Sequence, residues 1–372
     1  GSSKKRPIIC LFRNGDFSSL MTHQSGISAG LGTVCVIGAN GFIGVNSLKA
    51  LHDRGYQVRA AVRKLDRVQE EWHGLGIFVF EADVTNLESL SECVKGCDVV
   101  VNCAGIYRWW VPAAEEYIQV NDIGAGNVAR ACLEAGVRRL VHFSTPMAFG
   151  YPEQRPFNES SEPGKHASEY ARTKRLGDLR VKALCQGTAL EIVTLYLGCT
   201  IGEGDTMAAG RIAAVIRDFM LGKIPMLVGP DTNFIYVHIK DVRKALVAAV
   251  DAQSEKVSGE DFFIANSADM MTTRSFFDLI GKYTQRQPPK ASLNLTFGYW
   301  MASALTWIST HFTKSEPVAP VDIMRTAKFG SIEYTCEKSI DVLGLTYTPI
   351  EEAVAESVAD VQQRMKATSS RL

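Results

Sequence analysis

Tyr170 and Lys174 stand four residues apart in the run Tyr170-Ala-Arg-Thr-Lys174, inside a stretch with helical spacing. On a helix that spacing sets a phenol and an ammonium on one face, one turn apart. A free phenol titrates near 10, and drawing it toward neutrality takes about 1.4 kcal/mol per unit, which neighbouring positive charge supplies. The pair suits proton exchange at an alcohol or carbonyl oxygen, with Tyr170 as general acid or base and Lys174 as its electrostatic partner. Upstream, Phe143-Ser144-Thr145-Pro146 closes an apolar run, so two hydroxyls fall at the carboxyl end of an expected strand. Ligands of open α/β sheets bind at that edge, and one of these hydroxyls is expected to hold the reacting oxygen.

A second chemical signal lies near the start. Gly38-Ala39-Asn40-Gly41-Phe42-Ile43-Gly44 joins the β-branched run 34–37 to the apolar-periodic segment 43–51. A strand, a glycine turn and a helix in this order hold a dinucleotide pyrophosphate: glycines permit close backbone approach, and the helix start offers free N–H groups. Gly38, Asn40, Gly41, Phe42, Ile43 and Gly44 are therefore cofactor-binding candidates. An acid should close the second strand if a ribose 2′-hydroxyl is to be held, yet Arg63 stands there, 19 residues beyond Gly44, followed by Lys64. A guanidinium forks onto a 2′-phosphate, so NADP(H) is expected rather than NAD(H). Asp83, beside Val84 just past the third strand, suits the adenine amino group or a helix cap. With a dinucleotide in place, Lys174 gains a second task at the nicotinamide ribose, and an oxidised nicotinamide adds to the positive charge near Tyr170.

Positioning these groups requires a particular order of elements. Strand-like runs at 57–62, 77–80, 98–103, 139–144 and 191–196 alternate with helical stretches such as 86–94 and 115–135. Alternation at this spacing means an α/β fold, a doubly wound parallel sheet with helices on both faces. The strands are apolar almost throughout, as burial on both faces demands. Beyond residue 204 the rhythm becomes irregular, with helical patterns at 210–221, 272–283 and 349–365 and strand-like runs at 234–238 and 262–265. The expected division is an irregular extension (1–30), a Rossmann domain (31–205, with late sheet elements from 234–266) and a smaller, mostly helical substrate-binding region (206–372).

Composition narrows the function. Forty basic residues balance forty acidic ones, so bulk charge gives no reason to expect a nucleic-acid partner. Nine cysteines and no secretory leader point to a reduced, cytoplasmic compartment. Cys93, Cys97 and Cys103 form the one cysteine cluster, lack a nearby histidine pair, and are read as core packing with no metal. Residues 295–312 carry no Asp, Glu, Lys or Arg but are diluted by Ser, Thr and His, so a buried helix is expected rather than a spanning one.

The chain resembles the extended short-chain dehydrogenase/reductases over about residues 33–361. The segment from Gly55 to Arg63 looks like the second strand of dihydroflavonol and cinnamoyl-CoA reductases. Ala104-Gly-Ile-Tyr-Arg-Trp109, Val120-Asn121, Gly202-Glu-Gly204-Asp205 with Gly210-Arg211-Ile212, and Tyr236-Val-His-Ile-Lys-Asp241 look like the dihydroflavonol-reductase-like and 3β-hydroxysteroid-dehydrogenase-like branch. The resemblance implies that Gly38, Gly41 and Gly44 hold the pyrophosphate, Arg63 the 2′-phosphate and Asp83 the adenine. It implies that Ala104, Gly105, Asn121 and Leu197 line the cofactor cleft. It also favours Thr145 over Ser144 as the catalytic hydroxyl, since relatives carry their serine at that distance from the Phe149-Gly150 turn. Two departures stand out: Thr145 in place of that serine, and Leu197-Gly198 in place of a proline-containing pair near the nicotinamide.

These signals converge on an NADP(H)-dependent oxidoreductase that reduces a ketone or aldehyde, or oxidises the alcohol. Tyr107, Trp109, Met147, Phe149, Tyr196, Arg211 and Tyr236 are the candidate substrate contacts, a lining suited to an apolar or aromatic small molecule. His238 is expected to cap the following helix. Two alternatives stand beside this one. A nucleotide-sugar epimerase or dehydratase would use Arg211 and Arg217 on a diphosphate, and a membrane-associated 3β-hydroxysteroid dehydrogenase relative would dock the stretch around Trp300 to lipid. A homodimer is left open as its assembly.

Overall fold

A computed structural model describes residues 11–12, 31–68, 71–205 and 211–369. Of the expected extension at 1–30, only Leu11–Phe12 falls within the described residues. Its two residues pair in parallel with Val79 and Phe80 at one edge of the sheet.

The strands in chain order are β1 (Leu11–Phe12), β2 (Thr33–Ile37), β3 (Gln57–Val62), β4 (Phe78–Glu81), β5 (Val99–Asn102), β6 (Arg139–Ser144), β7 (Glu191–Leu197), β8 (Cys199–Ile201), β9 (Asn233–Phe234), β10 (Tyr236–His238), β11 (Asp261–Ile264) and β12 (Met271–Thr272). The main sheet runs β1-β4-β3-β2-β5-β6-β7-β11, with every neighbouring pair parallel. This is the doubly wound Rossmann arrangement expected from the alternation. Strand order reverses between β2 and β5, which opens a crevice at their carboxyl ends. Two small pairs lie outside it, β8 with β10 and β9 with β12.

Alternation along β2 divides the core. Val34 and Val36 pack with Leu48 and Leu51 of the helix Phe42–Arg54 and with Val242 and Leu246 of Ile239–Asp251. Cys35 and Ile37 point the other way, toward Leu90, Val128 and Val181 of the helices on the opposite face. Each helical layer removes several large side chains from water, at about 1.5–3 kcal/mol per fully buried residue. Cys93 and Cys97 belong to that second layer with Cys35. A third core gathers Ile216, Phe219, Tyr236, Phe276, Val354 and Val358 from the chain beyond β8.

One polar side chain sits deep in this core, and one expectation is corrected. Arg59, within β3, is buried, and its guanidinium donates to the Lys95 carbonyl at 2.7 Å, at the carboxyl end of the helix Leu87–Val94. That placement compensates unsatisfied carbonyls with a cation. Residues 295–312 do not form the buried helix expected. Within Leu295–Ile308 and the π-helical turn Ser309–Thr313, Trp300 is 70% exposed and Phe312 69%, while only Gly298, Ala302 and Ser309 are buried. The stretch lacks charge, but its inner face is supplied by small residues and its aromatics point outward. Among the described residues, no helix is long and apolar enough to cross a membrane.

Candidate active site

The helix Glu169–Cys185 begins at Ser168, whose hydroxyl accepts the Ala171 amide at 3.2 Å. Tyr170, Lys174 and Asp178 follow at four-residue intervals, all buried and turned toward the end of β6. Gly177 lets this helix press on the π-helical turn Ile118–Ile123, since a side chain there would overlap the Asn121 carbonyl. The Lys174 ammonium donates to the Phe143 carbonyl at 2.8 Å. Thr145 and Tyr170 both line the same cleft, and the Thr145 hydroxyl favours the ionised form of the phenol. Thr145 also accepts the Met147 amide at 3.4 Å, starting the turn Pro146–Phe149.

Ser144 is committed elsewhere. Its hydroxyl donates to Asp178 Oδ2 at 2.8 Å, and Asp178 Oδ1 lies 3.2 Å from His142 Nε2. His142 Nδ1 faces the Asn102 side-chain amide at 3.2 Å, and Asn102 Oδ1 accepts the Ala104 N–H at 3.1 Å. The amide nitrogen can only donate, so Nδ1 accepts and Nε2 carries the proton toward Asp178, which makes His142 a neutral imidazole. Burial holds the His142 pKa below its ordinary value, and the Asp178 hydrogen bond opposes that. A chain of buried polar groups thus runs from the loop after β5 to the helix carrying Tyr170 and Lys174.

Burial raises the Tyr170 pKa, and the main opposing influences are the Arg211 charge and the Thr145 hydrogen bond. Burial lowers that of Lys174, opposed chiefly by Asp178. An open cleft lies over the carboxyl ends of β5, β6 and β7, lined by Thr145, Tyr170, Lys174, Ala104, Gly105 and Leu197, with Ile43 at one side. Tyr107, Trp109, Met147 and Arg211 form more of its wall. Tyr107 meets Tyr170 edge to face at 5.2 Å between ring centroids, and the Arg211 guanidinium sits 5.0 Å over the Tyr107 ring.

The family model described as "NAD dependent epimerase/dehydratase family" matches residues 34–265. The chain belongs to that family. It is an extended short-chain dehydrogenase/reductase, an enzyme type built around a nicotinamide dinucleotide. It is similar to a putative dihydroflavonol 4-reductase from Synechocystis, 24% identical over 87% of this chain and 92% of the relative. It is also similar to a 4-hydroxy-2-methyl-3-oxo-4-farnesyl-3,4-dihydroquinoline-1-oxide ketoreductase from Stigmatella aurantiaca, 32% identical over 66% of this chain and 71% of the relative. Among solved structures, UDP-glucuronic acid 4-epimerase from Bacillus cereus, in complex with UDP-glucuronic acid and NAD, shares the fold at a TM-score of 0.71. It is 18% identical, with 89% of this chain and 99% of that one covered.

The glycine turn of this epimerase/dehydratase-family chain fits a pyrophosphate. Gly38 has φ +76°, and a Cβ there would come 2.9 Å from the Ala104 amide nitrogen; at Gly44 it would overlap the Gly38 carbonyl. Backbone occupies the space that side chains would take, leaving a narrow cradle before the helix Phe42–Arg54. Phe42 is buried in the core beside this cradle. Arg63 and Lys64 are exposed just past β3, and neither makes an ion pair among the described residues.

Other candidates sit differently from the sequence expectation. Phe149, Tyr196 and Tyr236 do not line the cleft. Phe149 packs edge to face on Tyr196 and Phe263 at 5.3 and 5.1 Å, and Tyr236 stacks on Phe276 at 5.0 Å in the third core. Large apolar rings at the seam between sheet and C-terminal elements satisfy one another before they can face solvent. The Val84 side chain packs against Gly124 instead of the cleft. Asp83 Oδ1 accepts the Thr85 amide and hydroxyl at 2.9 and 2.8 Å, while Asn86 caps the helix Leu87–Val94. Asn121 is a positioning residue: it accepts the Ile106 amide at 2.8 Å and donates to Thr173 at 3.3 Å, tying the loop after β5 to the Tyr170 helix. Arg217 pairs with Asp218 at 2.9 Å and is not part of the cleft lining. His238 Nδ1 accepts the Lys240 amide at 2.9 Å, capping Ile239–Asp251 as expected.

Sequence reasoning missed Asp178, His142 and Asn102. The first carried a signal, because it repeats the four-residue step from Tyr170 to Lys174. The other two were hidden inside strands read as apolar.

Proposed function

We propose that this enzyme is an NADP(H)-dependent oxidoreductase interconverting a ketone or aldehyde with its alcohol on an apolar or aromatic small molecule. The observation that carries this is Tyr170 and Thr145 together in the lining of a cleft whose wall also includes Tyr107, Trp109 and Met147. The cradle of Gly38, Gly41 and Gly44 would hold a pyrophosphate, Arg63 and Lys64 would meet a 2′-phosphate, and Lys174 would meet the ribose hydroxyls. A bound nicotinamide dinucleotide supplies or takes up the hydride.

The remaining chemistry belongs to the chain. In reduction, Tyr170 gives its phenolic proton to the oxygen as negative charge builds there, and Thr145 donates a second hydrogen bond to that oxygen. In oxidation the phenol receives the proton. Loss of that proton is opposed by burial and eased by the Arg211 charge, so both groups tune the acid. Apolar walls exclude water and strengthen each of these interactions.

The test is NADPH consumption over aromatic, alicyclic and aliphatic ketones and aldehydes, with NADH and UDP-glucose as parallel controls. Stoichiometric NADPH oxidation with a carbonyl compound is expected. Turnover of UDP-glucose alone, with no net cofactor consumption, would overturn the reading in favour of an epimerase. Arg211 lines the cleft as that second reading requires, but Arg217 pairs with Asp218 outside it.

A further inference from the structure

We propose that Arg211 recognises a carboxylate on the substrate, so that the compound turned over is an oxo acid, or the matching hydroxy acid, with an apolar remainder. This rests on the oxidoreductase reading above and names the chemistry of its substrate.

Arg211 is the residue from which the helix Ile212–Met220 starts, and it lines the cleft. Its guanidinium is held over the Tyr107 face, and Tyr107 in turn abuts Tyr170, so the cation stands two ring contacts from the reacting hydroxyl. Among the described residues it has no carboxylate within ion-pair distance and no hydrogen-bond acceptor. Asp205 also lines the cleft, but its Oδ2 accepts the Ala213 amide at 3.2 Å, at the start of that helix. The other cation in the lining, Lys174, is committed to the Phe143 carbonyl. Around them stand Ile106, Pro146, Met147, Ile212, Phe234 and Ile332.

A guanidinium carries five N–H donors in a rigid fork that matches a carboxylate bidentately. Contact with the Tyr107 face engages the cation, and its N–H donors meet no hydrogen-bond acceptor among the described residues. A neutral ketone would leave them to water in a mostly apolar wall, whereas a carboxylate satisfies the donors and the charge together. A diphosphate carries at least two charges, and the second candidate cation, Arg217, is turned to Asp218. A single negative charge a few bonds from the carbonyl is the better match. The carboxylate undergoes no bond change; it fixes which carbon faces Tyr170.

The experiment compares racemic 3-hydroxydecanoate with its methyl ester as substrates with NADP⁺, alongside UDP-glucose. The wild-type protein, Arg211→Gln and Arg211→Lys are assayed. Calorimetric titration of decanoate into each protein without cofactor gives a readout independent of turnover. The wild type should prefer the acid over the ester by at least about tenfold in kcat/KM. Arg211→Gln should lose some activity on both substrates, because its charge also acts on Tyr170, but at least about tenfold more on the acid than on the ester, with decanoate binding abolished and partly restored in Arg211→Lys. Equal losses on acid and ester, or a wild type that prefers the ester, overturn the carboxylate assignment and leave the oxidoreductase reading standing. If UDP-glucose alone is turned over, both fall.

Discussion

The Lys174 ammonium donates to the Phe143 carbonyl at 2.8 Å, which anchors the cation to the end of β6 two residues before Thr145. The helix bearing Tyr170 and the strand leading into Thr145 are thereby fastened at the point where proton exchange is proposed. Spacing alone suggested Lys174 as the charge that acidifies Tyr170. In the folded protein Arg211 and Thr145 also oppose the effect of burial at Tyr170, and Lys174 has Asp178 beside it.

Replacing Lys174 with Met should therefore act twice. Turnover should fall by about 10²–10⁴-fold, and folding stability by about 1–3 kcal/mol as a buried carbonyl loses a charged donor. Steady-state kinetics with urea denaturation separates the effects. Unchanged stability would mean that the anchor to Phe143 holds nothing together.

Arg63 stands exposed past β3 with no ion pair among the described residues. Arg63→Glu should cut the ratio of kcat/KM for NADPH over NADH by roughly 100-fold, through lost attraction and added repulsion at the 2′-phosphate. A ratio that stays constant would remove Arg63 from cofactor choice.

The His142 pKa lies below its ordinary value, so the folded chain stays unprotonated at pH values where the unfolded chain takes up a proton. Bound protons then favour the unfolded state: His142 supports stability fully above about pH 6.5 and loses that support as pH falls below it. The slope attributable to one proton is at most about 1.4 kcal/mol per pH unit. Denaturant titrations at pH 7.5 and 5.5 should show this acid-side loss, and His142→Gln should flatten it. An unaltered slope in the variant would assign the loss to other groups.

A Cβ at position 44 would overlap the Gly38 carbonyl, and this oxygen belongs to a backbone that cannot swing aside. Gly44→Ala should widen the cradle, weaken dinucleotide binding at least about tenfold and cost roughly 1–3 kcal/mol in stability. Fluorescence titration with NADPH and thermal melting would measure both. Wild-type affinity in this variant would place the pyrophosphate elsewhere.

Much of the fold was legible because local signals agreed with one another. The runs at 34–37, 57–62, 139–144 and 191–196 are apolar or β-branched and separated by helix-length segments, and all emerge as parallel strands of one sheet. Tyr170, Lys174, Thr145 and the glycine turn were readable from type and spacing, and the sheet brings the first three to one cleft. Residues 295–312 misled for a physical reason: lack of charge reports hydrophobicity but not which side of a helix finds a partner.

The sequence determined the periodicities, the glycine turn and the four-residue step between phenol and ammonium, since each depends on residues close in the chain. Only the tertiary structure decided that Ser144 is committed to Asp178, that Phe149, Tyr196 and Tyr236 fill the core, and that Arg217 turns to Asp218 outside the cleft. These outcomes depend on competition for partners between segments far apart in sequence, and only packing settles which donor meets which acceptor and which ring is left facing the void.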